Sequence, residues 1–208
     1  MLRLAERVLI VSAAAAAWAG LSTQLYILAT GPLGFGGGLW AFLRFFTIWS
    51  NILVAFVATT LLFKPNLISE SLRAGTAVFI SIVGVIYIAL LRSLWKPEGL
   101  QLTADILLHY ASPTFFVLHW IAFSPKSHLR WRDALRWLAF PLVYFVYALI
   151  RGGLEGVYPY PFIDVGALGP NRVAFNAALL MLFFFILGCI FVALGKFSRR
   201  VDVHGPST

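Results

Sequence analysis

Long apolar runs separated by short polar or Gly- and Pro-rich joints organise this chain. Six runs approach or exceed the roughly 20 residues that a helix needs to cross a bilayer core. They are Val8–Ala29, Leu39–Phe63, Arg73–Trp95, Leu102–Phe123, Trp131–Ile150 and Val173–Gly195. The joints read GPLGFGGG, FKPN, WKPEG, SPKSH and a long stretch from Arg151 to Arg172. The pattern predicts an all-α, polytopic membrane protein whose single six-helix domain fills residues 1–208. Too few residues lie outside the runs for a separate soluble module, and no internal repeat of the transporter kind is visible.

Composition supports this reading. Of 208 residues, 61% are hydrophobic and 12% charged, whereas soluble domains are nearer 45–50% apolar and about 25% charged. The net charge of +8 would suggest nucleic acid in a soluble chain. Here Lys and Arg gather at the ends of apolar runs, which is a topology signal, and no nucleic-acid-binding partner is expected. Arg3, Arg7, Lys64, Arg73, Lys126, Arg130, Arg132, Lys196, Arg199 and Arg200 fall on one side. The opposite loops hold Lys96, Arg151 and Arg172 beside Glu98, Glu155 and Asp164. Both termini are therefore expected in the cytoplasm, in a multi-pass protein of a plasma (inner) membrane. Arg3, Arg7 and Ala17-Trp18-Ala19 resemble a signal peptide, but the apolar run continues to Ala29, so an uncleaved first helix is expected.

With that orientation, strongly polar residues concentrate in the outer halves of the runs. Gln24, Arg44, Thr47, Arg92, Asp105, His109, Tyr147 and Asn176 all fall there, against Ser12, Thr59, Thr60 and Ser81 in the inner halves. Ionisable groups in hydrocarbon cost several kcal/mol unless they face a bundle interior or water. A polar cavity near the outer leaflet accounts for the asymmetry. Snorkelling side chains and interhelical hydrogen bonds are the bland alternative, with Arg92 its best case, one turn from a helix end.

Within LRFFTIWSN, the residues Arg44, Thr47 and Asn51 have i, i+3, i+7 spacing, one face of a continuous helix, with Ser50 beside it. Within TADILLHYASP, Asp105 and His109 are four apart, so the carboxylate can reach an imidazole nitrogen. Thr47 and His109 both lie roughly 10–12 Å below the outer helix ends and meet if their helices are neighbours. A hydroxyl, an imidazole and a carboxylate are the parts of nucleophile–base–orienter catalysis, imidazole being the base type that ionises near neutrality. Arg44, Asn51 and Asn176 are candidate oxyanion or substrate-binding groups, and Arg92, Ser50 and Tyr147 complete the polar set. Alternatively, a threonine in such a helix bonds back to its own carbonyls, and an intramembrane histidine can serve a structural hydrogen bond.

The other candidates read as structural. His109 and His119 are ten apart on different faces, so no shared metal site is expected; His128 and His204 sit in basic segments. Cys189 lies alone in an apolar run. RGGLEGVYPYPFIDVGALGP is too rich in Gly and Pro to be helical, and reads either as a cap over the cavity mouth or as an interfacial aromatic belt. Asp164 or Glu155 can pair there with Arg151 or Arg172.

FFTIWSN, HYASP, FSPK and RGGLEGVYPYPFIDV, in that order, resemble the family of androgen-induced and androgen-dependent TFPI-regulating proteins, specifically its bacterial branch. The resemblance covers essentially the whole chain. It implies a six-helix intramembrane threonine hydrolase, since animal members cleave fatty-acid esters of hydroxy fatty acids with one Thr and one His. Carried over by motif, the nucleophile falls on Thr47 and the base on His109. One position departs: animal members have a second His where this chain has Ser112.

The expectation is a lipid-ester hydrolase requiring no metal or organic cofactor, with membrane lipids as surroundings and a lipid ester as substrate. The competing reading is a non-catalytic carrier or binding protein for an anionic lipid, held by Arg44 and Asp105. A purely structural scaffold is the third.

Overall fold

The computed structural model describes residues 3–203, with side chains as far as Phe197. Among them all regular structure is helical. Six helical stretches are long and apolar enough to cross a membrane: Leu4–Ala29, Phe46–Phe63, Glu70–Leu94, Gly99–Phe123, Trp131–Glu155 and Pro170–Phe197. His204 and the side chains of Arg199 and Arg200, assigned above to the basic tail, lie outside the described residues. The chain forms two compact units, Met1–Pro125 and Lys126–Thr208.

In the first unit α1 (Leu4–Ala29) packs against α3 (Phe46–Phe63), α5 (Gly99–Ile106) and α6 (Ser112–Phe123). Small residues make this close approach possible: Ala13 and Ala17 of α1 and Ala55 and Ala58 of α3 are fully buried. Such packing suits helices in lipid, where close van der Waals fit rather than water exclusion drives association. Trp18, Phe56, Phe63 and Ile121 stay largely exposed. Leaving large apolar side chains in water forfeits roughly 1.5–3 kcal/mol each, so this surface suits hydrocarbon. The polar atoms find partners: Trp18 Nε1 donates to Thr59 Oγ1 at 3.0 Å, and Gln101 Nε2 donates to Gln24 Oε1 at 2.7 Å.

The second predicted span, Leu39–Phe63, is two helices. The joint GPLGFGGG, expected as a linker, instead supplies the start of α2 (Gly34–Phe42), and the break falls at residues 43–45. Gly38 acts here through close approach: a Cβ on it would lie 2.5 Å from the Leu28 carbonyl oxygen, so α2 rests directly on the last turns of α1. Trp49 Nε1 donates to Leu43 O at 2.9 Å and secures the break. Next comes α4 (Glu70–Ile86), opened by Ser69 Oγ accepting from Leu72 N–H at 3.1 Å. It continues through a π-helical turn, Tyr87–Leu91, and a 3₁₀ turn, Arg92–Leu94. A second π turn, Leu107–Ala111, joins α5 to α6.

The second unit contains α7 (Trp131–Trp137), α8 (Ala139–Glu155), α9 (Val165–Leu168) and α10 (Pro170–Val203). The stretch after Arg151, expected to be non-helical, is helical through Glu155. Gly156, left-handed at φ 71°, stops α8 rather than Gly152 or Gly153. A Cβ on Gly152 would overlap the Tyr158 ring, so the returning chain packs on α8 at that glycine. Short helical turns at Pro161–Ile163 and Val165–Leu168 continue the segment, and Asn176 Nδ2 donates to Phe162 O at 2.8 Å to hold it on α10.

Candidate functional site

Helix α3 starts at Phe46, after an extended Phe45, so Thr47 is its second residue rather than a point midway down a longer span. Intrahelical bonding begins with Ile48 and Trp49 N–H donating to Phe45 O at 3.0 and 3.4 Å. Arg44 therefore does not share a helical face with Thr47 and Asn51. It lies in the preceding turn, its N–H donating to Ala41 O at 3.2 Å. Thr47 and Asn51 do stand one turn apart, joined by Asn51 Nδ2 donating to Thr47 O at 2.9 Å.

The histidine sits on the second π turn, and Pro113 explains that turn. Proline has no N–H, and its ring conflicts with the carbonyl four residues back, here that of His109. The helix widens, and Ser112 N–H reaches Leu107 O. The residue five beyond Leu108 is Pro113 itself, which has no proton to give. Asn51 Nδ2 supplies the missing donor to Leu108 O across the helix pair, at 3.1 Å. One fully buried amide thus fixes the Thr47 turn against the His109 turn.

Thr47 Oγ1 lies 3.3 Å from His109 Nε2. The other ring nitrogen, Nδ1, is 3.2 Å from the Asp105 backbone oxygen and 3.1 Å from Asp105 Oδ1. The carbonyl is the aligned hydrogen-bond acceptor, and Oδ1 makes a close polar contact. Both facing atoms can accept, and a carbonyl oxygen can only accept, so in the neutral ring the proton belongs on Nδ1. Nε2 then accepts from the Thr47 hydroxyl. Asp105 Oδ2 accepts from the Tyr87 hydroxyl at 2.7 Å, and the Tyr87 ring stacks on the imidazole with centroids 3.9 Å apart and planes 15° apart. Thr47, Asp105 and His109 are 8%, 4% and 15% exposed, so the imidazole is the most accessible member.

Tyr87 was not singled out in the sequence. Its one available signal is a lone polar tip in the apolar run VGVIYIALL; its partners depend on the π turn it opens.

The remaining candidates are dispersed. Asn51 uses its amide on two carbonyls and is an orienting group rather than an oxyanion donor. Ser50 and Ser112 are buried, with no hydrogen bond to either hydroxyl among the described residues. Arg92 is exposed at the 3₁₀ turn. In the second unit, Arg151 Nη1 donates to Tyr147 OH at 2.7 Å, its Nε donates to Glu155 Oε1 at 2.6 Å, and Asn176 holds Phe162. Arg172 lies over the Phe175 ring. His119 is buried beside the Phe116 and Phe123 rings, and His128 contacts Ser127. Among the described residues no group of three His, Cys, Asp or Glu is placed to hold a metal ion. No protein-family model, curated protein or solved structure matches the chain, and the site stands on its own residues and distances.

Proposed function

We propose that this chain is a multi-pass membrane protein with both termini in the cytoplasm, and that it is an intramembrane lipid-ester hydrolase using Thr47 as nucleophile and His109 as base. The observation that carries the reading is the 3.3 Å approach of Thr47 Oγ1 to His109 Nε2, with Nδ1 on the opposite side of the ring held by Asp105. This is the nucleophile–base–orienter arrangement, largely buried within a unit whose exposed apolar surface suits hydrocarbon.

In the first half-reaction His109 Nε2 takes the Thr47 hydroxyl proton as Oγ1 attacks the ester carbonyl. Collapse of the tetrahedral adduct breaks the ester C–O bond, and Nε2 returns the proton to the departing alcohol. Thr47 then carries the acyl group. In the second half-reaction a water gives its proton to Nε2 and attacks the acyl carbon. The acid leaves, and the proton returns to Thr47 Oγ1. The positive end of the α3 dipole and Arg44 just ahead of it supply positive potential for the developing oxyanion. The resemblance adds fatty-acid esters of hydroxy fatty acids as the substrate class to screen first.

The test is covalent labelling of the purified protein by a fluorophosphonate probe, with the adduct located by mass spectrometry. Labelling on Thr47, lost in Thr47→Ala and His109→Ala, is expected. An adduct elsewhere, or none on folded wild-type protein, overturns the reading. Lipid binding that persists in Thr47→Ala but fails in Arg44→Ala would favour an anionic-lipid carrier instead.

A further inference from the structure

The Tyr87 hydroxyl and ring both meet the site, yet the ester chemistry gives neither of them a part. We propose that Tyr87 is a positioning residue that acts through Asp105 to set the tautomer and ring orientation of His109. The inference rests on the hydrolase reading for its catalytic consequence, though not for its effect on the imidazole.

Three observations support it. Tyr87 is 3% exposed and Asp105 4%, so their 2.7 Å hydrogen bond is shielded from water, where a bond to a carboxylate is strong. That bond fixes Oδ2 and so aims Oδ1 toward His109 Nδ1, 3.1 Å away. The stacked phenol ring, at 3.9 Å and 15°, blocks one face of the imidazole, which opposes ring rotation and keeps Nε2 toward Thr47. A phenol serving only to satisfy a buried acid has no need to lie parallel on the base.

Among the described residues, three side chains meet the imidazole. They are Asp105 from its own helix, Tyr87 from the α4 extension and the Thr47 hydroxyl from α3. Tyr110 meets the Tyr87 ring edge-on at 5.6 Å. α1 approaches this segment at Gly20, whose Cβ position lies against Leu107 and Leu108, and adds no charge there. The Asp105 backbone oxygen favours the proton on Nδ1, and the Asp105–Tyr87 pair is the side-chain control on that tautomer and on the orientation of the ring.

The experiment compares wild type, Tyr87→Phe, Asp105→Asn and the double variant in detergent micelles, using two readouts. One is the pH dependence of the fluorophosphonate labelling rate at Thr47. The other is the ¹⁵N-imidazole titration of His109, assigned with His109→Gln. Tyr87→Phe retains the stack and removes the hydroxyl, which donates to Asp105 and accepts from Trp95; the Asp105→Asn background isolates the part that runs through Asp105. Tyr87→Phe is expected to slow labelling about tenfold, equivalent to roughly 1.4 kcal/mol, to move the pH midpoint, and to weaken the preference for the Nδ1–H tautomer. In the Asp105→Asn background it should cost less than twofold more, because the path through Asp105 is already broken.

An unchanged His109 titration, or an undiminished effect of Tyr87→Phe on top of Asp105→Asn, overturns the proposal while leaving the hydrolase standing. A shifted His109 titration without wild-type labelling overturns the hydrolase and leaves the control of His109 in place.

Discussion

At the scale of single residues the site is a set of forced hydrogen-bond choices. The Asp105 backbone oxygen can only accept, so it favours the proton on His109 Nδ1 alongside the Asp105 side chain, and two acceptors face one nitrogen. This bounds the effect of Asp105→Asn. In triads where the carboxylate alone orients the histidine, that change lowers turnover about 10⁴-fold by favouring the wrong tautomer. Here the second acceptor survives, and a loss of about 10²-fold in Thr47 labelling is expected, at least tenfold less severe than in those triads. A loss as large as that of His109→Ala would show that the backbone acceptor does not direct the ring. Thr47, Asp105 and His109 were legible in the sequence because polar residues in apolar runs can be ranked by depth and spacing. Tyr87 was not, since an aromatic residue in an apolar run carries no such contrast.

Elements explain why spacing alone misplaced Arg44. The i, i+3, i+7 face assumed one helix from Leu39 to Phe63, but the chain breaks at residues 43–45. Gly38, in the run that seemed to mark a linker, instead lets α2 lie on α1. The π turns were illegible for a related reason: an insertion of one residue into a helical turn leaves the apolar pattern on either side intact. Pro113 was visible, but its effect depends on Asn51 arriving from another helix to satisfy Leu108 O. Pro113→Ala restores an N–H that can donate to His109 O, and it removes the clash that widens the helix. A turn returning from π to α rotates the preceding residues by about 100°, which carries His109 away from Thr47. Thr47 labelling is therefore expected to fall at least tenfold, with the thermal midpoint of the folded protein unchanged or raised. Full labelling in Pro113→Ala would show that Pro113 does not maintain the π geometry.

At the scale of the whole molecule, the count of six helices long and apolar enough to cross a membrane and the all-helical class of the described residues followed from the apolar runs, because a run in lipid has to satisfy its own backbone. Sidedness follows from charge, and the first unit makes it testable. Its last three spanning stretches run Phe46–Phe63, Glu70–Leu94 and Gly99–Phe123. The start of the first, the end of the second and the start of the third carry Thr47, Tyr87 and the Asp105–His109 pair, which meet. The site therefore lies toward the end of this unit that holds the Trp95–Glu98 connection, and away from the Lys64–Ser69 connection. Lys64 and Arg73 flank the latter, and Arg73 Nη2 donates to Pro65 O at 2.6 Å. On the proposed orientation, the positive-inside rule predicts that connection in the cytoplasm and the site in the outer half of the bilayer. In a Cys189→Ala background, Glu98→Cys should react with a membrane-impermeant maleimide on intact cells, whereas Asn66→Cys should react only after permeabilisation. The reverse pattern would place the site in the cytoplasmic half, so that the hydrolytic water and the released acid would be exchanged with the cytoplasm.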